Sequence, residues 1–502
     1  MTLLEQCRLW HEKDQHQKIV DALEAVPEEK RTPELDSALA RAYNNLADPE
    51  KPEGRRQLRR AVQLLRAHED SLGDDYSWNF RMGYAYYFLD QEGPALRYFQ
   101  RALELHPGDS PQVNTREEIR ELMDDCRRRL ALPRFERTFR QRAGEAWAAF
   151  AQGEAELRRL LDQKDRERVE EELMARCGGI LGIALSDPAF ELGFNGEKYE
   201  LILSPEGDQA RLLELAYFKG RAPEELQERW NILVGRQPAR GFALRSGGWE
   251  VSPEDVEVWL EKQGDQGAAL TLRCRKLLPL MEENPDRVWW MLSLLTDQAL
   301  GEAAAMSLIR GFEVVEAPGE GASVPLSELP QALAGMGLPL YGSAEEYLEH
   351  GYTAYELEPD QDPDADWRMD VFAGVTRCAP LIREYLDGES GCMDRLHRDG
   401  AAAGFLCYPL EGFAGEDRGK AILDFRDALE AAVEREAGRE AVTFLGGATG
   451  LSCGYLDFIA WDLPALLQGA VAALRESPAA WANFHASRRD VGAVRLLNRE
   501  SG

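Results

Sequence analysis

The chain has 502 residues, with 59 Lys and Arg against 89 Asp and Glu. The formal net charge of −30 excludes nucleic acid and an anionic membrane surface as the main partner, because both repel it. Hydrophobic residues make up 44%, enough to bury a sizeable core, and the length suits roughly three domains. The first residues show no basic stretch followed by an apolar one, and no run reaches ~18 apolar residues. Eight cysteines (7, 126, 177, 274, 378, 392, 407 and 453) form no CxxC pair and read as reduced, buried thiols. Together these predict a cytoplasmic protein with no membrane partner.

Residues 3–26 suggest a degenerate helical pair around Leu9, Trp10, Ile19 and Leu23. Leu39, Ala40 and Tyr43 then fall on a first helix. Ala61 and Leu65 fall on a second one, if nine residues are inserted at ADPEKPEGR. From Tyr76 the spacing tightens: Met82, Gly83, Tyr86, Ala95, Phe99, Ala102 and Pro107 stand at offsets that suit two antiparallel helices. Gly83 and Ala95 let the helices approach, Tyr86 and Phe99 fill the space beside them, and Pro107 ends the second helix. Residues 113–131 read as a polar-faced closing helix.

These offsets resemble those of tetratricopeptide (TPR) repeats over residues 1–132, although Trp78 stands one residue before the large aromatic of that pattern. The resemblance implies a concave groove that holds a protein or peptide segment. It also implies that polar residues of the first helices, Asn44, Asn45, Asn79 and Arg81, face that groove.

Residues 133–175 carry Phe135, Phe139, Trp147, Phe150, Leu157 and Leu161 at near-helical spacing and predict one or two connecting helices. Residues 176–335 alternate strand-like segments (FELGF, KYELILS, NILVGR, GFALRS, WEVS, AALTLRC, RGFEVV) with two helices. Residues 336–502 repeat that texture, with strands at WRMDVFAG, AGFLCYPLEG, AVTFLGG, GYLDFIAWD, WANFHAS and GAVRLL. The expected fold is multidomain: TPR-like helical repeats, then two α+β domains, each a mixed or antiparallel sheet with helices. The whole chain also resembles a group of uncharacterised bacterial proteins that join a TPR segment to stretches like GFNGEKYELILSPEGD and FLGGATGLSCGYLDFIAWDLP. That resemblance implies architecture and no particular chemistry.

Several local patterns imitate catalytic or metal sites. Gly450-Leu451-Ser452-Cys453-Gly454 spells the GxSxG of serine hydrolases, and Asp457, Asp462 and His485 follow in the order those enzymes use. Strand-like sequence on both sides predicts a hairpin instead of the strand-to-helix elbow that the chemistry needs. The same context removes a phosphate loop at GGATG, which requires a helix directly downstream. His397-Arg398-Asp399 matches a kinase triplet, but Gly404 stands where Asn is required. Asp360, Asp362 and Asp364 begin like a calcium loop, but Ala365 and Val371 replace the needed Gly and Glu. Cys378, Cys392, His397 and Cys407 lack the short paired spacings of zinc sites. Trp289-Trp290 predicts one ring in the core and the other against a neighbouring domain.

No catalytic set, metal or cofactor is therefore expected. The leading expectation is a non-enzymatic adaptor that binds a protein segment in a TPR groove. The alternatives are an inhibitor or immunity-type protein whose acidic half masks a basic target, and, more remotely, a hydrolase using Ser452. Charge is unevenly shared. Residues 1–140 hold 23 basic and 26 acidic side chains, which leaves −27 of the −30 to the rest of the chain. A basic partner is expected there.

Overall fold

The computed structural model describes residues 2–108, 113–163, 166–239, 241–264, 267–362, 365–415 and 417–499. Among these, 21 α-helices are combined with 16 strands, and no helix is long and apolar enough to cross a membrane.

The first third is helical. Leu3–His11, His16–Glu24, Pro33–Leu46, Pro52–Arg66, Tyr76–Phe88 and Glu92–Glu104 pack as successive hairpins, closed by Arg116–Ala131. Their ends are written in the sequence. Thr2 and Thr115 form capping boxes with Glu5 and Glu118, and Pro52 opens its helix in the first turn, where its missing N–H costs nothing. The connection after Leu46 is residues 47–51, and most of the nine-residue insertion lengthens the start of the Pro52–Arg66 helix. Leu39, Ala40, Met82, Ala95, Phe99 and Ala102 are buried, and Tyr86 stacks on Tyr98. Gly83 is needed for space: a Cβ there would lie 2.7 Å from the Phe99 ring. Tyr43 reaches across to Glu24 at 2.8 Å. Trp78 donates from its indole to the Leu65 carbonyl at 3.0 Å, tying one hairpin to the next. Pro107 is exposed, just beyond the helix that ends at Glu104. The closing helix buries Ile119, Met123, Cys126 and Leu130, one helical stripe on an otherwise polar segment.

Two helices, Phe139–Leu161 and Arg166–Leu181, lead out of this region. The first runs between the sheets. Trp147 stacks on Phe218 at 4.7 Å, and Phe139 meets Trp461 at 5.4 Å. At its start the Phe139 and Arg140 amides donate to the carbonyls of Gly400 (2.8 Å) and Trp461 (3.0 Å).

Residues 189–325 form three small sheets where one was expected. Ala189–Phe194, Tyr199–Ser204 and Trp230–Val234 make the first, with an antiparallel and then a parallel pairing. Leu244–Ser246 and Trp249–Val251 make a lone hairpin. Ile309–Val314, Gly267–Cys274, Val256–Gln263 and Val324–Pro325 make the third. The Pro285–Leu300 helix buries Val288, Met291, Leu292 and Leu295. Trp289 and Trp290 fall off that stripe and are 50% and 49% exposed, so neither is a core residue as expected.

The last sheet is the largest. Its spatial order is Thr353–Glu356, Val371–Thr376, Val442–Gly450, Cys453–Ala460, Ala402–Pro409, Trp481–Ala486 and Val494–Asn498, every neighbour antiparallel. The two near-continuously apolar segments, Cys453–Ala460 and Ala402–Pro409, sit at its centre, buried on both faces. Arg418–Ala437 and Leu463–Glu476 pack together beside it. One apolar cluster takes in buried residues from Cys7 to Val491, so the helical and sheet regions share a core, and a smaller second cluster of Val371, Tyr385, Phe405, Cys407, Ala448, Cys453 and Tyr455 lies on the last sheet.

Candidate functional site: a basic pocket on the first helices

Helical periodicity gathers Leu4, Arg8 and His11 on one face of Leu3–His11, Glu34, Ser37, Ala38 and Arg41 on one face of Pro33–Leu46, and Ser77 and Arg81 on Tyr76–Phe88. Each of these is the first helix of its hairpin. Together they enclose a pocket of about 270 Å³. Its upper wall is apolar, from Leu4, Cys7, Ile19 and Leu72.

Its charges are unbalanced. Arg81 is half-buried, and its guanidinium donates to the Ser37 carbonyl at 3.2 Å and to the Ser37 hydroxyl. Arg41 is also half-buried and finds no partner among the described residues. Burial lowers the pKa of both cations, and the proximity of Arg41 helps to take Arg81 down to about 10. His11 is pushed down to about 4 by burial and then by Arg41, His16 and Arg81, so it stands neutral beside them. The two carboxylates at the rim, Glu34 and Asp75, are exposed. Asp75 is occupied in accepting the Trp78 amide at 2.8 Å. The pocket thus holds two desolvated guanidiniums with no carboxylate in contact with either, and the nearby Asp75 charge only partly offsets the fall in the Arg81 pKa.

Of the four residues expected to face a groove, only Arg81 lines this pocket. Asn44 is buried and donates to the Arg81 carbonyl at 3.0 Å. Asn79 is buried and donates to the carbonyls of Gly73 and Asp75. Asn45 is exposed but returns its amide to Arg41 O at 2.7 Å. Arg8, His11 and Arg41 were not anticipated, although 34, 37, 38 and 41 is a helical stripe legible in the sequence.

The other motifs are dispersed. Leu451 and Ser452 form the tip of the hairpin between Val442–Gly450 and Cys453–Ala460, and the Ser452 amide donates to Asp370 at 3.0 Å. Asp457 is paired with Arg368, Asp462 caps Leu463–Glu476, and His485 bonds its own neighbour's carbonyl while stacking on Phe405. None of the three is committed to Ser452. GGATG is strand, with a bulge at Gly446 (φ 126°), where a Cβ would lie 2.3 Å from the Val375 carbonyl. Asp399 of the His-Arg-Asp triplet is buried, accepting from the Ser186 amide at 2.8 Å and from Arg211. Asp360 accepts from the Asp362 amide, and Asp364 lies outside the described residues. Cys378, Cys392 and Cys407 are buried thiols. Among the described residues no group of three or more His, Cys, Asp and Glu is placed to hold a metal ion.

In comparisons with known proteins, no family profile matches the chain, and no curated protein or solved structure is significantly similar to it.

Proposed function

We propose that this chain is a non-enzymatic, cytoplasmic adaptor of the TPR kind, whose helical hairpins hold an acidic protein segment at the inner pocket. The observation that carries this reading is the pair Arg41 and Arg81, two adjacent half-buried guanidiniums with no acid between them. A carboxylate seated there relieves their mutual repulsion and makes charge-assisted hydrogen bonds in a partly desolvated site. The apolar wall of Leu4, Cys7 and Ile19 accommodates a neighbouring side chain of the same segment.

The test is a peptide array probed with the full-length protein. Retained peptides should be rich in Asp and Glu or end in a free carboxylate. Retention should fall at least roughly tenfold for Arg41→Ala combined with Arg81→Met. Retention of basic peptides, or of acidic ones undiminished in the variant, sinks the reading.

A second reading rests on the −27 carried by residues 141–502. That excess supports a basic partner on the sheet-bearing half, as for an inhibitor or immunity-type protein. Its association would weaken steeply with salt, and a salt-independent complex would speak against it.

A further inference from the structure

The helical hairpins have a second face. There the later helices, Pro52–Arg66, Glu92–Glu104 and Arg116–Ala131, look towards residues 182–188 and 397–400 across a cleft of about 1400 Å³. The two sides are held together at its edge. Asp394 takes the buried Arg488 at 2.6 Å and Arg97 at 3.3 Å, and a Cβ on Gly93 would collide with the Asp394 carboxylate.

Ten arginines and no lysine line this cleft, against five carboxylates. In a chain of net charge −30 that is a marked local inversion. Some of the arginines are neutralised internally. Arg55 meets Asp90 at 2.8 Å, and Arg128 and Arg129 share Asp125. Four have no carboxylate partner. Arg59 and Arg134 are exposed with no partner among the described residues. Arg66 donates to the Tyr86 hydroxyl. Arg142 spends Nε on the Ile183 carbonyl (2.9 Å) and Nη1 on that of Arg398 (2.8 Å), and burial lowers its pKa. Arg97 adds a fifth, 58% exposed, because its acid is already bound by Arg488. His397 completes the wall with its Nδ1 buried and unpartnered.

We infer that this cleft binds a compact ligand carrying several phosphates, of the nucleoside triphosphate or inorganic oligophosphate class. Guanidinium forks pair bidentately with phosphate oxygens; Arg59 and Arg134 offer whole forks, and Arg66, Arg97 and Arg142 offer the N–H groups their partners leave, which suits a ligand of three to four negative charges. Size and field choose between anions. A long nucleic acid or an acidic protein would spread its remaining charge over a surface that carries most of the −27. A compact ligand confines its charge within about a Debye length of the arginines. Because the cleft lies between the hairpins and the sheet-bearing half, its occupant bridges the two. The site is on the opposite side of the helical layer from the inner pocket and stands or falls separately from it.

The test is calorimetric titration of the full-length protein, at about 0.15 M salt, with inorganic tripolyphosphate and, separately, with ATP. Saturable binding at roughly micromolar concentration by either probe is expected. Equal affinities assign recognition to the phosphate chain, and a preference for ATP assigns a contact to the nucleoside as well. Arg59→Glu with Arg134→Glu, both at exposed positions, should weaken binding at least roughly tenfold while leaving the unliganded thermal midpoint unchanged. Arg142→Met should weaken it too and leave the fold intact by circular dichroism. The inference is overturned by an absence of saturable binding to both probes up to about 1 mM, or by undiminished binding in the double variant. Tighter binding of a single-stranded oligonucleotide than of either probe also overturns it, as does tighter binding of an Asp/Glu-rich peptide to a variant whose inner pocket is removed by Arg41→Ala and Arg81→Met.

Discussion

Arg81 in the helical hairpins and Arg368 under the seven-stranded sheet are both withdrawn from water, in opposite company. Arg368 is 3% exposed in its side chain. It pairs with both oxygens of Asp457, donates to the Tyr355 hydroxyl at 2.6 Å, and lies over the rings of Phe405 and Tyr455 at 5.2 and 5.4 Å. The Asp457 charge raises its pKa against the cost of burial. Arg81 has Ser37 for a partner and Arg41 for a neighbour, and its pKa is lowered. A buried cation completed by its own chain belongs to the fold. One left without an acid is stabilised further only by something that brings one.

The largest expected effect tests the completed side of this contrast. Asp457→Asn leaves Arg368 buried without a counter-charge, and should cost about 3–5 kcal/mol in urea unfolding. A loss below about 1 kcal/mol would show that Arg368 is not held by that pair. The incomplete side predicts the reverse. Arg81→Met removes a desolvated charge and should change stability by less than about 1 kcal/mol, while removing capture of acidic peptides. A large stability loss there would place Arg81 with Arg368 as a structural residue.

The smallest effect is read in pH. His11 and His397 are both pushed down to about 4, mainly by burial, and the unfolded chain protonates them near 6.5. The unfolded state therefore binds more protons between these values. The stability they contribute is fully present above pH 6.5 and is lost as pH falls towards 4. A His11→Gln, His397→Gln variant should show a shallower decline over that window than the parent. An identical decline would mean that carboxylates alone set it. An acidic segment at the inner pocket offsets Arg41 and Arg81 around His11, so its binding near pH 5 should take up protons, seen as a buffer-dependent heat.

Much of the architecture is legible in the residues. Long apolar segments such as GYLDFIAWD became central strands, and Pro52 and the threonine caps placed helix ends. The misses have physical causes. VEVWLEKQ reads as polar because Glu257, Glu261 and Lys262 break up its apolar residues, yet Val256, Val258 and Leu260 keep the period of two and it is a strand. TAYE at 353–356 is too short to carry a pattern and is an edge strand only by pairing with Val371–Thr376. The site was less legible. Asn79 is polar, but it shares a stripe with Met82, Gly83 and Tyr86 and so turns inward. The basic character of the pocket and of the larger cleft comes from arginines on separate helices. Only the packing of those helices brings them together.

The start of the Phe139–Leu161 helix has one more consequence. Its first amides are satisfied by Gly400 and Trp461, residues far along the chain. Synthesis proceeds from the N-terminus, so the hairpins before it can fold as they leave the ribosome. These two amides stay with water, and the helix stays undocked at this end, until the last sheet has been made. Until then its apolar face, with Phe139 and Trp147, has no lasting cover. The nascent chain therefore carries an exposed apolar helix face through the synthesis of everything between Leu161 and the last strands.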